Sequence, residues 1–124
     1  MRKTIATGKA PAAIGPYSQG VNLNGTVFVS GQLPVNPADG TMPDGIEQQT
    51  RQAMDNIGAI LAEAGLTFND IVKTTVLMAD LKDFAAMNAV YAEYFPNEKP
   101  ARACFQVAAV PKGALLEIEA IAGR

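Results

Sequence analysis

Residues 10–38 carry no charged side chain, a run long enough to cross a bilayer. Pro11, Pro16, Pro34 and Pro37 interrupt it, with four glycines and several Asn, Gln and Ser. Each interior proline removes a helical hydrogen bond, so the run does not read as a spanning helix, and no membrane association is expected. It reads as sheet. Residues 17–23 and 26–29 flank Asn24-Gly25, and Asn-Gly supplies the positive φ angles of a two-residue hairpin turn. Two antiparallel strands are predicted to meet there. After Ser30-Gly31 comes a loop, by composition, over residues 34–40.

The period of the apolar residues predicts the other elements. Ala53, Met54, Ile57, Ile60, Leu61 and Ala64 recur at helical spacing. Asp44 with Glu47 three residues later is a capping-box pattern at the start of this helix, and Gly65 sits at its C-terminal cap. Residues 71–79 are rich in β-branched side chains and read as a largely buried strand. A second helix is predicted over residues 82–94, with an apolar stripe of Phe84, Met87, Val90, Tyr91 and Tyr94, and Pro96 closes it. Residues 101–107 and 116–122 alternate as strands around a turn at Pro111-Lys112-Gly113, and residues 3–5 add a short strand. The order predicts one α+β domain over residues 1–124, a mixed sheet of about six strands with two helices packed on one face.

Composition removes several chemistries. Ten Lys and Arg against twelve Asp and Glu leave a net charge of −2. With no basic tract, the electrostatic footprint of a nucleic-acid binder is missing. There is no His, which excludes a Ser-His-Asp or Cys-His triad, a histidine base and any zinc site that needs imidazole. The single Cys104 permits no internal disulfide and no cysteine metal cluster, and fits a reduced, cytoplasmic setting. Met1-Arg2-Lys3 is followed by polar and small residues rather than the apolar core of a signal peptide.

The last two strands carry the charged groups of interest. Side chains alternate between the two faces of a strand. Ala101, Ala103, Phe105 and Val107 share one face of the first, and Arg102, Cys104 and Gln106 share the other. Leu116, Ile118, Ala120 and Ala122 share one face of the second, opposite Glu117, Glu119 and Ile121. If the wholly apolar faces meet the helices, Arg102, Cys104, Glu117 and Glu119 all lie on the uncovered side of the sheet, where Ser30 and Thr75 join them. That face is half apolar and needs a cover, which a second copy of the chain would supply. A cleft between copies would then surround the Arg and Glu side chains.

These residues bring a family into view. Pro100-Ala101-Arg102-Ala103-Cys104-Phe105 with Leu116-Glu117-Ile118 resembles the C-terminal signature of the RidA family, also called YjgF or L-PSP-like proteins. Residues 12–20 (AAIGPYSQG), Ser30-Gly31-Gln32, residues 70–76 (DIVKTTV), Phe84, Asn88 and Tyr91 resemble other family text, in order, over essentially the whole chain. The resemblance implies a fold like Bacillus chorismate mutase and a homotrimer with clefts at its interfaces. It implies hydrolysis of reactive 2-enamine and 2-imine acids, such as 2-aminoacrylate, to 2-keto acids and ammonia. Such intermediates leak from pyridoxal-phosphate-dependent dehydratases and damage related enzymes, and the family itself carries no cofactor. Many relatives have Ser where this chain has Ala103; on alternation Ala103 faces the core, so little effect is expected.

The implied chemistry suits the residues. A guanidinium grips a carboxylate through two parallel hydrogen bonds, a geometry Lys cannot copy, which suits Arg102 to an imino acid. Water must add to the imine carbon and the nitrogen must be protonated, which suits Glu117 as acid and base. The resemblance further implies that Tyr17 and Ser30 position substrate or water, that Gly31 and Cys104 offer main-chain groups, that Asn88 supports the pocket and that Phe84 walls it. Plainer readings stand beside these. Arg102 is also suited to a structural ion pair with Glu117 or Glu119. Glu119 reads as structural, Cys104 as a small buried residue rather than a nucleophile, Lys73 as a solvated or paired cation rather than a Schiff-base lysine, and Tyr91 and Tyr94 as core or rim packing. The competing functions are a ribonuclease or translation inhibitor, against which the charge balance argues, and a non-enzymatic binder of small acids or of partner proteins. A chorismate mutase rests on fold analogy alone.

Overall fold

The computed structural model describes residues 1–124. Six strands and two helices follow the chain in the order β1 (Arg2–Ile5), β2 (Gly20–Leu23), β3 (Thr26–Gln32), α1 (Ile46–Glu63), β4 (Ile71–Met78), α2 (Phe84–Ala92), β5 (Ala101–Gln106) and β6 (Leu116–Gly123). They form one mixed sheet in the order β1-β2-β3-β6-β4-β5. Every neighbouring pair is antiparallel except β4 and β5. A parallel pair needs a crossover, and α2 is that crossover. Both helices lie on one face, as the sequence predicts.

The β2–β3 hairpin turns at Asn24 and Gly25, whose φ angles of 53° and 94° are both positive, as a two-residue turn of this kind requires. The Asn22 side chain accepts a hydrogen bond from Gly25 N at 2.9 Å. Tyr17 lies before the strand, in a turn where its amide donates to Gly15 O at 2.8 Å. The predicted stripe of α1 is the centre of the core: Ala53, Met54, Ile57, Ile60 and Leu61 are fully buried against β3 and β6. The capping box does not form. Gly45 occupies the N-cap with φ 83°, no side chain caps the helix, and Asp44 lies one residue too early to reach its amides. The other end closes as predicted at Gly65, with φ 78°. Gly65 N donates to Ala62 O at 3.0 Å and Leu66 N to Leu61 O at 2.8 Å, which satisfies two carbonyls of the last turn. The second helix is shorter than its apolar stripe. A 3₁₀ turn at Leu81–Asp83 precedes it, capped by Asp80, and three-residue bonds follow it at Tyr94 and Phe95.

Strand β6 presents its faces as predicted, with Leu116, Ile118, Ala120 and Ala122 buried under the helices. Strand β5 does the reverse. Thr74 pairs with Arg102 and Val76 with Cys104, and Thr74 and Val76 are both fully buried on the helix side. Paired residues of a ladder share a face. Arg102, Cys104 and Gln106 therefore lie on the helix side, and Ala101, Ala103 and Phe105 lie on the open side. Alternation identifies which face of a strand is apolar, but not which face the chain's own helices cover. At this edge strand α2 covers the face that carries the charge. The expectation that Arg102 and Cys104 share an uncovered face with Glu117 and Glu119 is overturned, and so is the placing of Ala103 in the core. The open face keeps Leu23, Phe28 and Phe105 at 47%, 44% and 47% exposure, a large uncovered apolar surface for a chain of this size.

Candidate active site

Arg102 and Glu117 lie in two separate places, on opposite faces of the sheet. The first is built by α2 over the edge strand. Phe84, Asn88 and Tyr91 stand at i, i+4 and i+7, one stripe of the helix. All three meet Arg102. Its Nη1 donates to Asn88 Oδ1 at 2.6 Å, and its guanidinium carbon lies 5.5 Å from the Phe84 ring centroid and 4.9 Å from that of Tyr91. The chain forms ion pairs between Arg51 and Glu93, Lys82 and Asp80, and Arg124 and Asp70, and none involves Arg102. The structural ion pair with Glu117 or Glu119 is thereby excluded. A guanidinium has five N–H donors, and here one is used by a neutral amide while two aromatic rings lie within cation–π distance of the group. Cys104 follows on the same face of β5, half-buried. Burial pushes its thiol up while Arg102 pulls it down, so it is held as a thiol rather than a nucleophilic thiolate.

The second place lies on the other side of the sheet. A cleft of about 720 Å³ is lined by Tyr17, Ser30, Gly31, Glu117 and Glu119, with the Pro111-Lys112 turn and the loop around Val35 at its edges. The ladder between β3 and β6 shifts register between Val29 and Gln32, and Gly31 sits in that irregularity. Glu117 folds its carboxylate against Gly31, where any Cβ would collide with it. The glycine is there for space. Glu117 is half-buried and pairs with no cation of the chain. Burial, and then the like charge of Glu119 two residues along the same face, raise its carboxyl above the ordinary range. The Ser30 hydroxyl donates to Ser18 O at 2.5 Å, so it offers the cleft an acceptor. Tyr17 is exposed at the rim.

Gln19 escaped the sequence reading. Its amide is buried and fully bonded: Nε2 donates to Thr7 O, Ala10 O and Pro11 O at 3.1, 3.3 and 2.7 Å, and Oε1 accepts from Thr7 N at 2.7 Å. It ties the N-terminal loop beneath the segment that carries Tyr17. No local pattern marks such a residue, because its partners lie eight to twelve positions upstream. Nowhere does the chain gather three His, Cys, Asp or Glu side chains that could hold a metal ion, and no helix is long and apolar enough to cross a membrane.

Comparison with known proteins agrees along the whole chain. The family model described as Endoribonuclease L-PSP matches residues 7–123. The 2-iminobutanoate/2-iminopropanoate deaminase of Escherichia coli K12 is 54% identical, over 100% of this chain and 99% of its own. The human protein of the same name is 49% identical, over 98% of this chain and 90% of its own. Among solved structures, the YjgF gene product of E. coli superposes with a TM-score of 0.96 at 53% identity, over 98% of both chains. E. coli TdcF with bound serine gives 0.96 at 50% identity, again over 98% of both. Identity of this size over the full chain, with a family model matching residues 7–123, makes the chain a member of the RidA/YjgF family, the family of the Endoribonuclease L-PSP model.

Proposed function

We propose that this chain is an enzyme that hydrolyses 2-enamine and 2-imine acids, such as 2-aminoacrylate and its imine, to 2-keto acids and ammonia. One observation carries the reading: Arg102 is a guanidinium bonded to Asn88 and set within cation–π distance of the Phe84 and Tyr91 rings, with no anionic partner in its own chain. A group so placed takes a small carboxylate through parallel hydrogen bonds. The named activity of relatives about half identical over the full chain supports the same substrate class.

Glu117 supplies the proton chemistry. Its raised carboxyl keeps a protonated fraction at higher pH than an ordinary Glu. As the carboxylate it takes a proton from water adding to the C=N carbon. As the acid it passes that proton to the nitrogen, and a second transfer carries the proton of the new hydroxyl to the nitrogen as the C–N bond breaks, so that ammonia leaves and the C=O bond of the keto acid forms; an enamine first shifts a proton from nitrogen to carbon to become the imine. Tyr17 and Ser30 would position substrate or water, and Gly31 and Cys104 would present main-chain groups to it.

Arg102 and Glu117 lie on opposite faces of one sheet, with β4 between their strands. One small molecule cannot touch both within a single copy. The reading therefore includes assembly: residues 1–124 act as one domain in a homotrimer. A neighbouring copy covers the open face and brings its Arg102 edge to the Glu117 cleft. The uncovered Phe28 and Phe105 support this. Protection of pyridoxal-phosphate enzymes, in the cytoplasm, belongs to the same proposal.

The test is a coupled assay. A serine or threonine dehydratase generates the imine, and its ultraviolet signal is followed with and without this protein and with Arg102→Ala. Faster decay, abolished by the substitution, is the expected result. No acceleration with any amino-acid-derived imine would overturn the enzyme reading in favour of a small-acid or protein-binding module. RNA cleavage would favour the ribonuclease reading, which the cleft's two carboxylates oppose.

A further inference from the structure

Thr74 is a fully buried hydroxyl on β4, and its register partner on β5 is Arg102. Its Oγ1 lies 2.7 Å from the hydroxyl of Tyr91, which is also buried. The Tyr91 ring runs from that hydrogen bond to the guanidinium, 4.9 Å from its centroid. Thr74, Tyr91 and Arg102 thus form a closed triangle: two strands set the spacing of Thr74 and Arg102, and α2 lowers Tyr91 between them. The geometry points to Thr74 and Tyr91 as positioning residues for carboxylate recognition, the hydroxyl pair fixing the ring that fixes the guanidinium plane. This inference rests on the proposed role of Arg102 as a carboxylate clamp.

The physical case is one of orientation. An Arg side chain has several rotatable bonds, and holding it in one geometry costs conformational entropy when a ligand must do it. Here the chain does so in advance. Asn88 holds Nη1, and the rings of Tyr91 and Phe84 lie within cation–π distance of the guanidinium. The Nε–Nη2 edge carries no partner, and that edge is one of those that bind carboxylates in parallel. Tyr91 holds its place because its hydroxyl finds a partner inside the core. A buried phenol without one would be costly, and the ring would be free to shift. The positioning role thus extends two residues beyond Arg102, to a threonine that touches no substrate.

The experiment compares Thr74→Val, Thr74→Ser, Tyr91→Phe and the double variant Thr74→Val/Tyr91→Phe in the coupled imine assay, with Arg102→Ala beside them. Pyruvate, a 2-keto acid, serves as the equilibrium probe by calorimetry or NMR titration. Thr74→Val and Tyr91→Phe are each expected to raise KM for the imino acid and Kd for pyruvate about fivefold, the scale of one buried hydrogen bond, with kcat little changed. Thr74→Ser restores both values. The double variant is no worse than either single one, because all three lose the same bond. Turnover of an imine lacking a carboxylate stays unchanged. A fall in melting temperature with KM and pyruvate affinity unmoved would overturn the inference and leave the pair a core contact. If Arg102→Ala hydrolyses imines normally, the clamp itself fails and the inference with it. If Arg102→Ala is dead while Thr74→Val keeps a normal KM, the clamp stands and this inference alone falls.

Discussion

Gly31 and Glu117 make the site's tolerances visible at the scale of single residues. A methyl group at Gly31 meets the Glu117 side chain, whose carboxylate and Cγ supply the three nearest atoms. Gly31→Ala is therefore expected to fold and to displace Glu117, lowering kcat by about a hundredfold, the cost of misplacing a reacting group by an ångström or so. Circular dichroism and the imine assay on the same sample check it. Glu117→Gln separates stability from catalysis. Burial and Glu119 raise the Glu117 carboxyl, so the folded protein favours its protonated form and the charged form is a stability cost. That cost is absent below about pH 4.3, the ordinary Glu value, and develops as pH rises through the raised one. Near neutral pH the Gln variant should melt higher than the parent, with the difference closing in acid, while kcat falls about a hundredfold or more. A melting temperature lower than the parent's near neutral pH would contradict this account of Glu117.

At the scale of elements, α1 is held to the loops around it by buried amides rather than by charged pairs. Asn56 on α1 is buried, and its Nδ2 donates to Leu33 O and Val35 O at 3.1 and 2.9 Å, while its Oδ1 accepts from Gln52 at 2.9 Å. That places the loop after β3 along the edge of the Glu117 cleft. Asn56→Ala leaves two carbonyls without partners and should cost about 2–4 kcal/mol in denaturant unfolding. The outer ion pair between Arg51 and Glu93 is solvent-exposed, and Arg51→Ala should leave the denaturant midpoint nearly unchanged. Long-range amide ties of this kind leave no periodic trace in the chain. The start of α1 teaches a related lesson. Asp44 and Glu47 have the spacing of a capping box, yet Gly45 takes the cap by adopting a positive φ that moves Asp44 out of reach.

At the scale of the whole molecule, the apolar open face and the placing of Arg102 and Glu117 on opposite sides of the sheet make the same demand of the proposed function. Phe105→Glu should leave a folded chain that sediments as a smaller species and does not hydrolyse imines; full activity in a stable monomer would end the composite-site reading. Co-expressed Arg102→Ala and Glu117→Gln chains, each inactive alone, should recover activity in mixed assemblies. Random assortment leaves roughly a quarter of the sites with both residues intact. No recovery would mean that both groups act within one copy, which the sheet's geometry opposes.

Much of this was legible in the residues themselves. Asn24-Gly25 specifies its turn through backbone sterics, the α1 stripe specifies its buried face through the 3.6-residue period, and β6 alternates cleanly between core and cleft. These are local properties, set by residues within a turn or two of one another. Which side of the sheet β5 presents is not local. Alternation has two mirror solutions, and only the parallel pairing of β5 with β4, under α2, selects the one that puts Arg102 on the helix side. The same pairing brings Thr74 beside Arg102 from 28 positions away and leaves Glu117 across the sheet. Local patterning specifies the elements and the chemical groups they carry; strand order and helix cover select which groups meet, because both involve residues far apart in the chain.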